Sequence, residues 1–148
     1  MKKLAVIVIF LAVLFVAGCG LPTTPPAYIK DVVAYKEGPD GLLIYFALSD
    51  SSGNETTCDG DVTLTIVGEP FGEPATELYR SDFSIKESDF QRVEVGMGAF
   101  KRKRIVYSVG RLVYSSFTED PHDVSGKVVI EFKPRSGNIL SGYDTVFF

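Results

Sequence analysis

The chain carries two thiols, one imidazole and 19 acidic side chains, and their spacing decides which chemistries are open to it. His122 is the only histidine, and it follows Pro121 in the turn-like stretch Asp120-Pro121-His122-Asp123. A serine or cysteine hydrolase with the usual imidazole base would need His122 beside its nucleophile. No Gly-x-Ser-x-Gly elbow is present to support such an arrangement. Paired carboxylates can hydrolyse a glycoside, but among so many acids some pair always has a suitable spacing, so the pattern carries no information. The expectation is a protein that is not an enzyme and uses no cofactor. The single basic run, Lys101-Arg102-Lys103-Arg104, has two readings. It is a docking patch for anionic lipid or an acidic partner, or it is the positive charge that keeps a strand edge from pairing. No aromatic residues are interleaved with it, and the net charge of −4 gives no basic footprint for nucleic acid.

The first thiol has a more specific setting. Cys19 closes Val16-Ala17-Gly18-Cys19, which ends an apolar run beginning at Leu4 and preceded by Lys2 and Lys3. A cationic start, an apolar middle and a small-residue exit make a secretory signal. The segment resembles the lipobox of prokaryotic lipoproteins. That resemblance implies cleavage before Cys19 and a diacylglyceryl group on its sulfur, often with a third chain on the new amino terminus. It also implies an exported domain held at the cell membrane or the outer membrane. Gly20, standing where an inner-membrane lipoprotein typically has aspartate, implies the outer membrane in a Gram-negative cell. Two or more acyl chains anchor stably where one does not. The competing readings are an uncleaved span and an ordinary signal peptide. Leu4 to Ala17 is 14 residues, short of the roughly 20 that cross a bilayer.

With Cys19 lipidated, Cys58 is a lone thiol. Its neighbours Asp59 and Asp61 would raise its pKa, so it is expected to act as a small inert hydrophobe. One stretch resembles a calcium-binding EF-hand loop: Asp50, Ser52, Asn54 and Asp61 occupy its positions 1, 3, 5 and 12. Glu55 stands at the sixth position, where that family needs glycine, and Asp61 is shorter than the usual bidentate glutamate. This is a weak metal-ligand set, and a solvated hairpin loop is the expected outcome. Asn54-Glu55-Thr56 is also a formal glycosylation sequon.

The elements that must hold these residues read as strands. Gly20 to Ala27 is a proline-rich tether, whose eight residues at about 3.1 Å each would lift the domain roughly 25 Å from its anchor. Ile29, Asp31, Val33 and Tyr35 share one parity in a first strand. Leu42 to Leu48 is a continuous apolar run suited to a central strand. Val62, Leu64 and Ile66 alternate with Asp61, Thr63 and Thr65, and Val128, Ile130 and Phe132 alternate with Lys127, Glu131 and Lys133. Tyr79, Phe83 and Ile85 share a parity in a weaker strand, and Ser88-Asp89 caps a short helical turn leading to Phe90 and Val93. Ile105, Tyr107 and Val109 alternate up to Gly110-Arg111, which either turns a tight hairpin or bulges a long strand. Tyr143 to Phe148 forms the last strand, and the terminal Phe147-Phe148 pair is expected to pack.

Seven or eight short strands with Gly/Pro turns predict an all-β antiparallel sandwich over 28–148, with a small barrel as the second choice. The pattern resembles immunoglobulin-like or fibronectin-III-like modules, although the chain has no tryptophan and no disulfide pair. After cleavage about 130 residues remain, enough for one domain with a real core. The function expected first is a non-catalytic protein-binding or assembly module of the cell envelope, with an envelope protein as partner. Two alternatives stand beside it: a carrier of a small apolar or carbohydrate ligand, and an accessory subunit that docks on lipid through Lys101–Arg104. The carrier would need a concave face lined by Tyr or Phe, and strand parity alone does not gather the seven tyrosines on one face.

Overall fold

The computed structural model describes residues 24–95, 98–121 and 123–148. The signal, Cys19 and His122 lie outside them. Nine strands follow in order: β1 (Tyr28–Lys36), β2 (Gly41–Ser49), β3 (Glu55–Thr56), β4 (Gly60–Glu69), β5 (Thr76–Ile85), β6 (Gln91–Val95), β7 (Arg102–Val113), β8 (Ser125–Pro134) and β9 (Leu140–Phe147). Among the described residues the only helical pieces are three short 3-10 turns, and no helix is long and apolar enough to cross a membrane.

The strands form two antiparallel sheets. One has the order β1-β2-β7-β6, with β3 added to β2, and the other has the order β5-β4-β8-β9. Each sheet is two hairpins joined through their inner strands, β2 to β7 and β4 to β8. The chain crosses between sheets after β3, β5 and β7. The sheets do not close into a barrel. Where β1 and β9 approach, a side chain bridges them instead of a ladder: the Ala34 amide donates to Asp144 Oδ2 at 2.8 Å.

The inward parity of the central strands makes the core. Leu42, Ile44, Phe46 and Leu48 of β2 face Val62, Leu64 and Ile66 of β4 and Val128, Ile130 and Phe132 of β8, all essentially without exposure. Burying a side chain of this size contributes about 1.5–3 kcal/mol, so these three strands dominate stability. Aromatic rings seal the β5–β7 side, where Phe83 stacks on Tyr107 at 6.0 Å and Phe90 meets Tyr107 edge-on at 5.9 Å. Tyr114, Phe117 and Phe148 close one end, with ring centroids 5.4 to 6.2 Å apart. Of the terminal pair only Phe148 is buried; Phe147 is exposed.

Three local readings are corrected or decided. In β1 a bulge between Ile29 and Asp31 breaks the expected parity, so Ile29, Val32 and Ala34 turn to the core while Asp31, Val33 and Tyr35 face outward. Gly110 does not turn a hairpin. It pairs with Ile44 while Ser108 pairs with Tyr45, leaving Val109 as the extra residue of a bulge in one long strand. Gly110 takes φ 90°, a conformation that side-chain-bearing residues resist. Finally, the 3-10 turn at Glu87–Asp89 is followed by a strand, β6, that charged Arg92 and Glu94 conceal in the sequence.

Candidate functional site

The outward parities of the two sheets differ in kind. On the β5-β4-β8-β9 sheet they present Asp61, Thr63 and Thr65 of β4, Glu131 and Lys133 of β8, and Arg80 and Asp82 of β5, with apolar Val129, Tyr143 and Phe147 among them along β8 and β9, a mixed surface. On the other sheet they present an apolar groove of about 630 Å³ lined by Val33, Tyr35, Tyr45, Ala47, Val93 and Val106. Pairing of Val33 with Tyr45 sets Tyr35 diagonally beside Tyr45, within reach for long side chains. Their rings stack at 6.2 Å and 20°. A hydrogen bond to Tyr45, with burial second, raises the Tyr35 pKa above its ordinary 10.0. Ala47 and Val106 form the floor at 1% and 6% exposure, whereas Val33 and Tyr35 are 44% and 46% exposed on the wall.

One end of the groove is polar. Arg104 reaches across from β7 to Asp31 of β1 through Nη2 and to Glu55 of β3 through Nε. Glu55 also accepts the Ile105 amide at 2.9 Å. Burial opposes the Arg104 charge, and the bonds to Asp31 and Glu55 more than reverse that, so its pKa is raised. Glu94 lines the groove as well, with Lys101 Nζ 3.9 Å from its carboxylate. The groove therefore joins a flat aromatic wall to carboxylates at its rim.

The residues singled out in the sequence are distributed differently from their spacing. The basic run splits: Arg104 is held inside the fold, Lys101 faces Glu94, and Arg102 and Lys103 are exposed on β7. The Asp50 loop closes on itself. Asp50 Oδ1 accepts the amides of Ser52 and Asn54, each at 2.9 Å, and Oδ2 faces Asn54 Nδ2 at 3.4 Å. These bonds, the Asn54 amide foremost, lower the Asp50 pKa. Asp61 is far along the chain on β4, where Ser84 Oγ donates to it at 2.6 Å. Among the described residues no cluster of three metal-ligating side chains occurs. Cys58 is half-buried against the core, and burial first, then Asp59 and Glu87, pushes its thiol up to about 11. The Tyr35–Tyr45 pair was not visible as a site in the sequence; the only available signal was an outward tyrosine on each of two adjacent strands.

No family model, curated protein or solved structure matches this chain.

Proposed function

We infer that the mature chain is a lipid-anchored, exported binding module, not a catalyst, and that it holds a small ligand in the groove on the β1-β2-β7-β6 sheet. The observation that carries the reading is the groove itself, concave, apolar and walled by the stacked Tyr35 and Tyr45. A volume of about 630 Å³ falls in the range of small-molecule sites. The stacked Tyr35 and Tyr45 suit a ligand with a flat apolar face, and Asp31 and Glu94 suit hydroxyl groups at its edge. That combination favours the carbohydrate class.

Strand order supports the immunoglobulin-like type. An immunoglobulin sandwich packs strands A-B-E-D against G-F-C. Here β1-β2-β7-β6 follow the first order and β9-β8-β4 the second, with β5 beside β4.

Calorimetric titration with soluble neutral oligosaccharides tests the ligand. Binding that weakens by about tenfold in Tyr45→Ala, as expected when one stacking ring is lost, supports the reading. A second reading, the assembly module, is favoured by Phe71, which is fully exposed at the β4–β5 turn. Absence of saccharide binding, with a single envelope protein cross-linked through Phe71, would establish that reading instead.

A further inference from the structure

The point where the chain joins the domain is fixed by two hydrogen bonds. Thr56 Oγ1 donates to the Thr24 carbonyl at 2.6 Å, and the Ala27 amide donates to the Ser49 carbonyl at 2.7 Å. Pro25 and Pro26 line a depression with Cys58 and Pro134. The domain thus begins at Thr24 rather than at Tyr28, and only residues 20–23 separate it from Cys19. Five backbone steps at full extension reach about 17 Å, shorter than the roughly 25 Å an eight-residue tether would allow.

The basic run lies at this same end. Thr56 fastens Thr24, and its neighbour Glu55 grips Arg104 and the Ile105 amide. From there β7 runs to Val113, which pairs with Gly41 at the opposite end. Lys101, Arg102 and Lys103 are exposed, and among the described residues no ion pair holds Arg102 or Lys103. The opposite end carries Glu37, Asp40, Glu73, Glu119 and Asp123, whereas at the Thr24 end Asp50 is bonded within its loop, Asp59 faces Arg135, and Glu87 and Asp89 lie nearby. Of the cations near the opposite end, Arg111 is engaged with Glu37 and Asp40 and Lys127 with Glu69, while Lys36 is exposed.

We propose that the Thr24 end docks on anionic phospholipid headgroups through Lys101, Arg102 and Lys103, standing the sandwich upright with the Phe71 turn outermost. The proposal rests on lipid attachment at Cys19. A short tether keeps Thr24 itself within about two Debye lengths of the anchor. Each cation at an anionic surface favours contact about fivefold, so Arg102 and Lys103, which no described ion pair holds, favour the docked pose on the order of 25-fold, with Lys101 adding to it as it leaves Glu94. The acids of the opposite end are repelled by the same surface, which selects one pose over its inverse.

The test uses the full lipidated protein carrying Phe71→Cys with a donor dye, in vesicles bearing a headgroup acceptor. The half-buried Cys58, with its raised pKa, labels poorly by comparison. On phosphatidylglycerol–phosphatidylcholine vesicles energy transfer should be low. It should rise on pure phosphatidylcholine, in about 0.5 M salt, and in Lys101→Glu/Arg102→Glu/Lys103→Glu. The salt arm needs no variant, and circular dichroism checks that the variant is folded. Transfer that ignores lipid charge and salt alike would overturn the docked pose. Failure of the wild-type protein to float with pure phosphatidylcholine vesicles would instead refute the attachment at Cys19, and the proposal with it.

Discussion

Cys58 shows how position rather than sequence neighbours sets a residue's chemistry. Asp59 contributes to its raised pKa as the sequence implies, but burial is the larger cause and Glu87, 29 positions away, takes the role assigned to Asp61. The folded thiol titrates at about 11 against an ordinary 9.0. The fold therefore favours the neutral thiol, a contribution fully present below pH 9 and lost as pH rises through about 11. Alkylation at pH 8 should be about a hundredfold slower in the native protein than in urea, because the thiolate fraction falls tenfold per unit. Equal rates in the two states would show that Cys58 is not shielded. Arg104 makes the second case at this scale. Truncating it strands Glu55, which is only 19% exposed. Arg104→Ala should lower stability by about 2 kcal/mol, measured by urea denaturation, with Arg104→Met/Glu55→Leu costing less than the single change. Arg104 and Glu55 were each visible in the sequence, but their pairing was not, because the Arg104 contacts span 73 and 49 positions.

At the scale of elements, legibility followed alternation. β4 and β8 announce themselves because every second residue is apolar, and their inward residues are the core. In β1 the sequence put Ile29 on one parity with Asp31, Val33 and Tyr35, and the bulge at Ile29–Asp31 separates it from them, as a one-residue slip must. β6 was hidden because an edge strand of alternating charge resembles a loop. The groove was hidden for a related reason: it depends on which residue of β1 lies opposite Tyr45, and register is not written in either strand alone. A close approach between elements lies where β8 begins. A Cβ at Gly126 would collide with the Val67 carbonyl and the Phe148 ring, so the strand can lie this close only with glycine there. Gly126→Ala should cost about 1–3 kcal/mol through overpacking. Pairing it with Phe148→Leu, which makes room, should recover part of that loss in thermal melts; no recovery would place the clash on the Val67 carbonyl instead.

For the whole molecule, the sequence implied an all-β antiparallel architecture correctly, and the two sheets confirm that much. The arrangement has a kinetic consequence. β2 pairs with β7, and β4 with β8, across long stretches of chain, so loops must close before their contacts form. Folding of the domain should take milliseconds to seconds rather than microseconds. Stopped-flow refolding followed by tyrosine fluorescence checks this, with Tyr107 in the core seam as a reporter. A submillisecond single phase would mean that local structure, not sheet pairing, limits the rate.

The fastening of Thr24 and Ala27 also determines how the domain bears load. With Cys19 anchored as proposed, drag on the body would be opposed at residue 24 and pull along the axis of β1 from its first residue. The β1–β2 bonds lie across that axis, so the force shears the whole row at once instead of opening it bond by bond. A sheet loaded in this way resists as a unit, and the strand nearest the tether is the one that must hold.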